Sequence, residues 1–498
     1  MKHSTIFVLL TLGCGGGSGE PGTTTYGTTF VQNPAALCDP DFALLTPNPI
    51  EGDLVEVELR CASGNPFDDY VVTLEAAPNG DAAINGTLLT FSTGLDQAGE
   101  IEAFISFGHP ETIGETLIIN LDIADAWNAA GNVAPDPLEY TDEFGTEVLW
   151  LDLAGDPGVT PSAGTAYWKG DPYDVTVGFL NDEDAGNIKR NLLLTETGGL
   201  GIDFNERGVD DRSTLALYAS ANDPTRMRQR LSYEAWEALR EPASDGWYAK
   251  CFFTTVYLNG AYHGLYTGCE LHDDQLLIEN DLPATTSAWA GLDEDANFRR
   301  EDAAGDPKIS LTAGMDPLLG GDSTQITAFV GHVADTDSPT FWATAGDWVQ
   351  TAQVLDWAVF IEVAGLDKHV TTDSIWVYDP VLARHGVSLR NFDVSWGLDA
   401  SGLAWPADTP IDHSRNQLLE HTWIGGKTSA ENTLISLTSL AGTLGPTELH
   451  TTIADWDEEL SAATPRDLEK WGSSEDYTAA RDALETWIDD RMAYVLAN

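Results

Sequence analysis

The alternation of hydrophobic and polar residues changes character near residue 147. Before that point, short segments alternate strictly, as in Leu54–Cys61 and again over 70–74 and 117–123. Clusters of turn-forming residues separate them, which is typical of half-buried β-strands. Their number and spacing predict an immunoglobulin-like β-sandwich over residues 37–146. Because this region carries no group of catalytic side chains, we expect it to act as a spacer or in adhesion.

From residue 147 to residue 498, strand-like and helix-like periods are mixed. Strands are predicted over residues 150–153, 173–179, 191–194, 214–218 and 374–378. Helices are predicted over 223–236, 348–364 and 476–496, the first with Asp223 as N-cap and Pro224 as first helical residue. The fold class is therefore α+β overall: an all-β sandwich followed by a mixed domain with a helical C-terminal tail.

Four of the five cysteines form an even set, which in an exported chain predicts two disulfides. Two strand-like segments flank Asn259-Gly260, a strong hairpin turn signal. Folding about that turn places Cys251 opposite Cys269, so we predict this bridge, and Cys38–Cys61 by elimination. The alternative is four buried free thiols.

The N-terminus has the pattern of an export signal. A short basic start precedes an apolar run and then Gly13-Cys14, which predicts a signal segment over 1–13. The Gly-Cys pair is similar to a bacterial lipobox, although Thr11 stands where an aliphatic residue is usual. We expect a lipid on Cys14, a flexible tether over 14–36 and a location at the bacterial cell surface or outer membrane. A plain secretory signal is the alternative.

Charge narrows the range of partners. The formal net charge is -56, from 24 Lys plus Arg against 80 Asp plus Glu. Such a surface repels nucleic acid and suits a saline or cation-rich exterior. The chain has no Walker-type loop, no H-E-x-x-H and no G-x-S-x-G. Ordinary P-loop NTPases, common zincins and α/β-hydrolases are therefore not expected.

Two acids stand at the ends of neighbouring predicted elements. Asp367 follows the predicted helix 348–364, and Asp393 follows the strands that start at 374. Phosphoryl transfer uses two carboxylates with separate roles. One orients or deprotonates the attacking hydroxyl, and the other binds the metal ion. With 80 acidic residues in the chain, this spacing also arises by chance, and a solvated turn is the alternative.

Three motifs resemble those of the CotH family, the spore-coat-protein-H type of atypical secreted kinases. Residues 257–270 match Y-x-N-G-x-Y-x-G-x-Y-x-x-x-E, and residues 223–233 match D-x-x-x-x-R-x-x-L-x-Y. Residues 390–397 are similar to W-x-x-D-x-x-(F/W)-G. The resemblance covers most of 147–498. It implies a kinase-like fold and phosphorylation of Ser or Thr on exported proteins, dependent on ATP and Mg²⁺ or Mn²⁺.

The resemblance also implies roles for individual residues. Asp367 would orient the hydroxyl, with Asp373 as a less favoured substitute. Asp393 would bind the metal ion, helped by the Asn391 carbonyl. The ATP phosphates would be neutralised by Lys189 and Arg228, with Glu270 positioning the lysine or a second metal ion. A second alignment puts Thr197 in the lysine's place, and His369 is expected to be an exposed loop residue.

Two departures from the family pattern leave rival functions open. Arg390 replaces the usual Trp, and Asn391 replaces the first acid of the commoner W-D-x-D form. The first rival is a pseudokinase that serves as a surface binding or structural module. The second is an adhesin in which both domains only bind partners. Contact of Lys189 with Glu270 and Asp393 would favour the kinase.

Overall fold

The computed structural model describes these residues: 40–45, 54–61, 71–76, 83–85, 88–92, 99–108, 115–123, 137–138, 140–143, 145–181, 189–209, 211–240, 247–280, 282–320, 322–399, 402–439, 442–471, 473 and 475–498. They fall into two compact units, one drawn from 1–135 and 469–474 and the other from 136–468 and 475–498. The predicted signal segment, the tether, Cys14 and Cys38 lie outside the described residues, so the Cys38–Cys61 bridge stays a prediction.

The first unit contains two antiparallel sheets. One has the order β1-β2-β5-β4 and the other β3-β6-β7. The strands are β1 Pro40–Leu44, β2 Leu54–Cys61, β3 Val71–Ala76, β4 Ala83–Asn85, β5 Leu88–Ser92, β6 Gly99–Gly108 and β7 Glu115–Ile123. In β2, Val55, Val57 and Leu59 are buried while Glu58 and Arg60 are exposed, so the predicted alternation is confirmed. The immunoglobulin-like topology stays a prediction.

The second unit begins with a sheet that closes on itself. Its order is β10-β11-β12-β13-β15-β14-β9-β8, and β9 also pairs with β10. Only β9 and β14 run parallel among these described pairs. The strands are β8 Asp142–Glu143, β9 Thr146–Leu153, β10 Ser162–Trp168, β11 Asp171–Phe179, β12 Leu192–Glu196, β13 Thr214–Tyr218, β14 Cys251–Leu258 and β15 Ala261–Cys269. Closure buries alternate side chains inside the sheet, among them Trp168, Phe252 and Tyr266.

The hairpin of β14 and β15 is formed as predicted. Asn259 and Gly260 both have positive φ, 51° and 88°, as a two-residue hairpin turn requires. Cys251 pairs directly with Cys269 in the register, and the two form a disulfide with Cα atoms 4.2 Å apart. The predicted Cys251–Cys269 bridge is confirmed.

A second sheet and most of the helices follow. The sheet has the order β17-β16-β18-β19, with β16 Ser287–Gly291, β17 Met315–Leu319, β18 Ser374–Asp379 and β19 Arg384–Leu389. The helices are α1 Arg228–Arg240, α2 Asp274–Glu279, α3 Thr324–Asp335, α4 Ser338–Thr344, α5 Thr351–Ala364, α6 Gln417–Ile424, α7 Lys427–Thr438, α8 Pro446–Lys470 and α9 Tyr477–Ala497. No helix in the described part of the chain is both long and apolar enough to cross a bilayer.

Helix α5 is the element that delivers the chain to Asp367. It is apolar on most sides and buried along most of its length, with Trp357 and Phe360 in the core. It ends at Gly365, whose φ of +65° is left-handed and stops the helix. A Cβ at this position would lie 2.5 Å from the Trp405 ring, so only glycine fits.

Two predicted helix starts are wrong. Helix α5 begins at Thr351, not at 348, and α1 begins at Arg228, not at Pro224. The cause at α1 is Arg226, whose φ of 60° is incompatible with a helical turn. Asp223 still accepts a hydrogen bond from the Arg228 amide at 2.9 Å, so it satisfies a free N–H at the true helix start.

Candidate active site

Two loops form the candidate site. One is the turn Asp367–Val370 after helix α5, and the other spans residues 390–397 after β19. The Trp396 amide donates to the Ala364 carbonyl at 2.8 Å, and the Arg390 amide donates to the Asp373 carbonyl at 3.1 Å. The first bond holds the second loop against the end of the buried helix, and the second bond ties the start of that loop to Asp373, which follows the first loop. Asp367 and Asp393 are thus brought to the same region of the fold.

Left-handed backbone occurs in the second loop and just after the first. Asp373, Asn391 and Trp396 have φ values of 56°, 54° and 49°. Asp and Asn tolerate this conformation, but a bulky tryptophan adopts it only when its surroundings force it to. Gly397 follows with φ +91°, and a Cβ there would lie 2.7 Å from Cδ1 of Trp487. The tight packing fixes the direction in which the loop presents Asp393.

A cluster of ionic side chains lies between the loops. Lys368 Nζ lies 2.8 Å from Asp373 Oδ2 and 3.2 Å from Asp393 Oδ1. Asn391 Nδ2 donates to Asp373 Oδ2 at 3.3 Å, and Arg390 Nε lies 3.4 Å from Asp373 Oδ1. Burial alone would lower the pKa of Lys368, but the carboxylates of Asp373 and Asp393 outweigh it and raise that pKa. The bridging ammonium is therefore charged.

The oxygen donors of this cluster fit a divalent metal ion. The Asp373 and Asp393 carboxylates and the Asn391 carbonyl are hard ligands, and Mg²⁺ in phosphate sites commonly takes one or two carboxylates plus the phosphates themselves. The Lys368 ammonium already lies between the carboxylates as a stand-in cation. Among the described residues, no group of three or more His, Cys, Asp or Glu side chains converges as a metal cage. The donor set thus fits a divalent ion that takes its remaining ligands from outside this cluster.

Asp367 is held by an arginine from a distant segment. Arg415 Nη1 lies 2.7 Å from Asp367 Oδ2, while Arg415 Nη2 lies 2.7 Å from Glu294 Oε1. Thr371 donates to Glu294 Oε2 at 3.2 Å. No other described residue bonds to the Asp367 carboxylate, and its side chain is 42% exposed. Oδ1 thus has no hydrogen-bond or ion-pair partner among the described residues.

The expectation that His369 is exposed is wrong. Its ring is fully buried, stacks on Phe392 with centroids 5.0 Å apart, and places Nε2 2.8 Å from the Arg390 carbonyl. Burial lowers the pKa of His369, which favours the neutral ring. His369 therefore locks the two loops together and is not available as a general base.

Arg228, the second cation expected to neutralise the ATP phosphates, is buried in an ion pair, and its phosphate-binding role stays a prediction. Its side chain is 8% exposed and forms an ion pair with Asp223, while its Nε donates to the Trp396 carbonyl at 3.1 Å. A nucleotide phosphate could reach it only by breaking these bonds. Arg228 instead ties the start of α1 to the loop that carries Asp393. Tyr233 does the same one turn later, because its hydroxyl accepts from the Asn391 amide at 3.2 Å.

Lys189 does not contact Glu270 or Asp393, so the expected pairing is wrong. Its ammonium lies 2.9 Å from Asp467 of helix α8, donates to the Leu265 carbonyl, and is 1% exposed. Arg226 Nε shares the same carboxylate at 2.7 Å. Burial lowers the pKa of Lys189 to about 7, against the opposing effect of Asp467. Lys189, Arg226 and Asp467 thus form a buried ion-pair cluster, the buried lock, between the closed sheet and α8.

Glu270 lies at the end of β15 and has different partners. Its Oε2 accepts from the Lys250 amide at 2.7 Å, and its Oε1 lies 4.0 Å from Arg212 Nη1. Burial raises the pKa of Glu270 to about 8, although the Lys250 amide and Arg212 act in the opposite direction. The alternative position Thr197 is exposed, and its hydroxyl donates to the Asp174 carbonyl at 3.1 Å. Neither Lys189 nor Thr197 thus places a cation beside Glu270.

Sequence reasoning missed three residues of the site. Lys368 bridges Asp373 and Asp393, and Arg415, itself held by Glu294, fixes Asp367. One signal existed for Lys368, because a lysine directly after the candidate base is unusual in a chain with 24 basic and 80 acidic residues. No local signal exists for Arg415, which lies 48 positions from Asp367.

Comparison with known families agrees with the motifs. A family model described as CotH kinase protein matches residues 200–495, which include both loops and the confirmed hairpin. Comparison with curated proteins gave no match.

Proposed function

The chain belongs to the CotH kinase family, and from this we propose that it transfers the γ-phosphoryl group of ATP to Ser or Thr hydroxyls of exported proteins. Family membership implies the use of ATP and a divalent metal ion in general terms. The choice of Mg²⁺ or Mn²⁺, the protein substrate and the surface location are parts of the proposal.

One observation carries it. The turn that presents Asp367 also presents Lys368, whose ammonium reaches both Asp373 and Asp393. The candidate base and the candidate metal ligands therefore lie within the reach of one side chain. Backbone hydrogen bonds and the buried His369 ring hold the two loops in a fixed position relative to each other. Such preorganisation is what phosphoryl transfer requires, since its catalysis consists mostly of positioning and electrostatic stabilisation.

Each residue would then have a defined task. Asp393 and Asp373, with the Asn391 carbonyl, would hold the metal ion, which supplies positive charge to the phosphates. Asp367 would orient the acceptor hydroxyl and take its proton through Oδ1, while Arg415 holds Oδ2. The new bond joins the acceptor oxygen to the γ-phosphorus, and the broken bond leaves ADP with the bridging oxygen.

A catalytically weak pseudokinase is the second candidate, and two observations favour it. Asn391 brings no charge to the position where the family commonly has an acid, and Lys189 is turned into a buried lock with Asp467. In that case the fold would serve as a binding or structural module on the cell surface. The binding experiment below separates the two candidates.

We further propose an exported location, with a lipid on Cys14 that anchors the chain to the membrane. The Cys251–Cys269 disulfide supports a compartment more oxidising than the cytosol. The net charge of -56 supports a cation-rich exterior and argues against nucleic-acid partners. If Cys14 carries the lipid, Cys14→Ser should move the protein from the membrane fraction to the soluble exported fraction. Unchanged membrane association would contradict the lipid anchor.

The test of the catalytic proposal is calorimetric titration of the full chain with ATP, alone and with Mg²⁺ or Mn²⁺. We expect metal-dependent binding that is lost in Asp393→Ala. Asp367→Asn should retain this binding but lose transfer to a generic Ser/Thr acceptor, by about 10²- to 10⁴-fold if it acts as a general base. Binding without transfer in the wild-type protein would favour the pseudokinase. Absence of ATP binding with either metal would refute the kinase proposal.

A further inference from the structure

The cluster around Lys368 is electrically balanced without a metal ion. Lys368 and Arg390 contribute two positive charges, and Asp373 and Asp393 contribute two negative ones. A divalent cation between the carboxylates would stand next to an ammonium at ion-pair distance from both. Like charges at such a separation repel strongly unless water screens them. Metal binding therefore competes with the present position of Lys368.

The pair of Lys368 and Asp393 contributes little to the fold. The Asp393 side chain is 55% exposed, and Lys368 is its sole hydrogen-bond or ion-pair partner among the described residues. Ion pairs this open to water add little stability. Asp373 is different, since its side chain is 11% exposed and also meets Asn391 and Arg390. Among the described residues, the Asp393 carboxylate is thus held by the Lys368 ammonium alone.

Lys368 can leave without disturbing the loops. Its ammonium sits on a flexible four-carbon stem and its side chain is 31% exposed. The loops themselves are held by other groups: the Trp396 amide on Ala364, the Arg390 amide on Asp373 and the His369 ring. Lys368 directly follows Asp367 in the chain. In the proposed reaction the transferred phosphoryl group would lie beside Asp367. A displaced ammonium has an anionic partner there once a nucleotide is bound.

We propose that Lys368 is the internal counter-ion of the metal-binding carboxylates and exchanges with the divalent cation when a nucleotide enters. This inference rests on the proposed function. Without nucleotide, the ammonium competes with the metal ion, so metal alone binds weakly. With nucleotide, the phosphates accept the displaced ammonium while the carboxylates accept the metal ion. Metal and nucleotide consequently bind cooperatively, and Lys368 is a positioning residue for both.

The test measures two affinities on the full chain. Mn²⁺ binding without nucleotide is followed by electron paramagnetic resonance, and ATP binding at saturating Mn²⁺ by calorimetry. In Lys368→Met, Mn²⁺ alone should bind about tenfold more tightly and ATP about tenfold more weakly, within the usual range of coupling between ligands. Lys368→Arg keeps the charge and should keep weak Mn²⁺ binding. A gain in Mn²⁺ affinity together with a loss in ATP affinity distinguishes this role from a structural one, which would not change the two affinities in opposite directions.

A matched control is Lys427→Met, which removes a lysine of α7 that is 63% exposed and pairs only with Glu431 among the described residues. It should change neither affinity. If Lys368→Met and Lys427→Met shift Mn²⁺ binding equally, the inference is refuted while ATP binding by the wild-type protein still supports the kinase. If the wild-type protein binds no ATP but Lys368→Met alone gains Mn²⁺ affinity, the kinase proposal fails and the competition stands. Lys368→Gln is the substitute if the Met variant unfolds.

Discussion

Arg415 and Asp367 form the ion pair that fixes the candidate base, with Nη1 and Oδ2 2.7 Å apart across 48 positions of sequence. The same guanidinium holds Glu294 through Nη2. Arginine offers two donor edges in a rigid plane, so it can hold one carboxylate while a second fixes its own orientation. The pair leaves Oδ1 of Asp367 without a hydrogen-bond or ion-pair partner among the described residues.

Arg415→Ala should lower phosphoryl transfer more than stability. The side chains are 27% and 42% exposed, so we expect a loss of at most about 1 kcal/mol in the free energy of unfolding. Misplacement of the Asp367 carboxylate should lower kcat by about 10- to 100-fold, with the KM for ATP unchanged. Steady-state kinetics with a generic acceptor protein checks both constants. Arg300→Ala, which breaks an exposed pair with Asp335, is the control. An equal loss of kcat in both variants would contradict this role.

Asp467→Asn should strongly destabilise the second unit. The Asp467 carboxylate is completely buried and binds Lys189, Arg226 and the Leu265 amide. Its neutralisation leaves two buried cations short of a counter-charge, which costs about 3–5 kcal/mol. Urea unfolding followed by tryptophan fluorescence measures the loss. Asp335→Asn, at an exposed pair, should leave the transition nearly unchanged, and a comparable shift there would argue against the buried lock.

Reduction of the Cys251–Cys269 disulfide should destabilise the closed sheet. The bridge joins residues 18 positions apart, and a loop of that size corresponds to about 3 kcal/mol in the chain-entropy account. The measurement is the urea midpoint with and without dithiothreitol. A variant with both cysteines changed to alanine should start at the lower midpoint and not respond to reductant. If dithiothreitol does not change the urea midpoint of the wild-type protein, this expectation is refuted.

Glu270 gives the stability of the protein a pH dependence. Burial raises its pKa to about 8 from an ordinary value of 4.5, so the folded state holds a proton that the unfolded state has lost. The stabilising contribution is complete below pH 4.5 and is lost as the pH rises to 8. Between these two values the free energy of unfolding should fall by about 1.4 kcal/mol for each pH unit. Glu270→Gln should remove this part of the decline between pH 5 and pH 8.

The measurement is urea unfolding of both proteins at pH 5, 6.5 and 8. Glu431→Gln changes a half-exposed acid of α7 and should reproduce the wild-type slope. Parallel stability profiles of the wild-type protein and Glu270→Gln would show that Glu270 is ionised at all three values.

Local features of the structure were predictable because they depend on neighbours in the sequence. The alternation in β2 defines which residues are buried, and Asn259-Gly260 defines the hairpin that brings Cys251 to Cys269. The order of helix, Asp367, hairpin and Asp393 likewise follows from hydrophobic periods. Even here a single left-handed residue, Arg226, moved the start of a helix by four positions from Pro224.

The sequence by itself determined the family, the strand and helix periods and the two loops that carry the candidate acids. Only the tertiary structure decided which charges meet: Lys189 meets Asp467, 278 positions away, and Asp367 meets Arg415. With 80 acidic residues in the chain, every basic residue has many possible partners, and sequence spacing does not select among them. The selection depends on burial, because a charge removed from water must find a partner inside the fold.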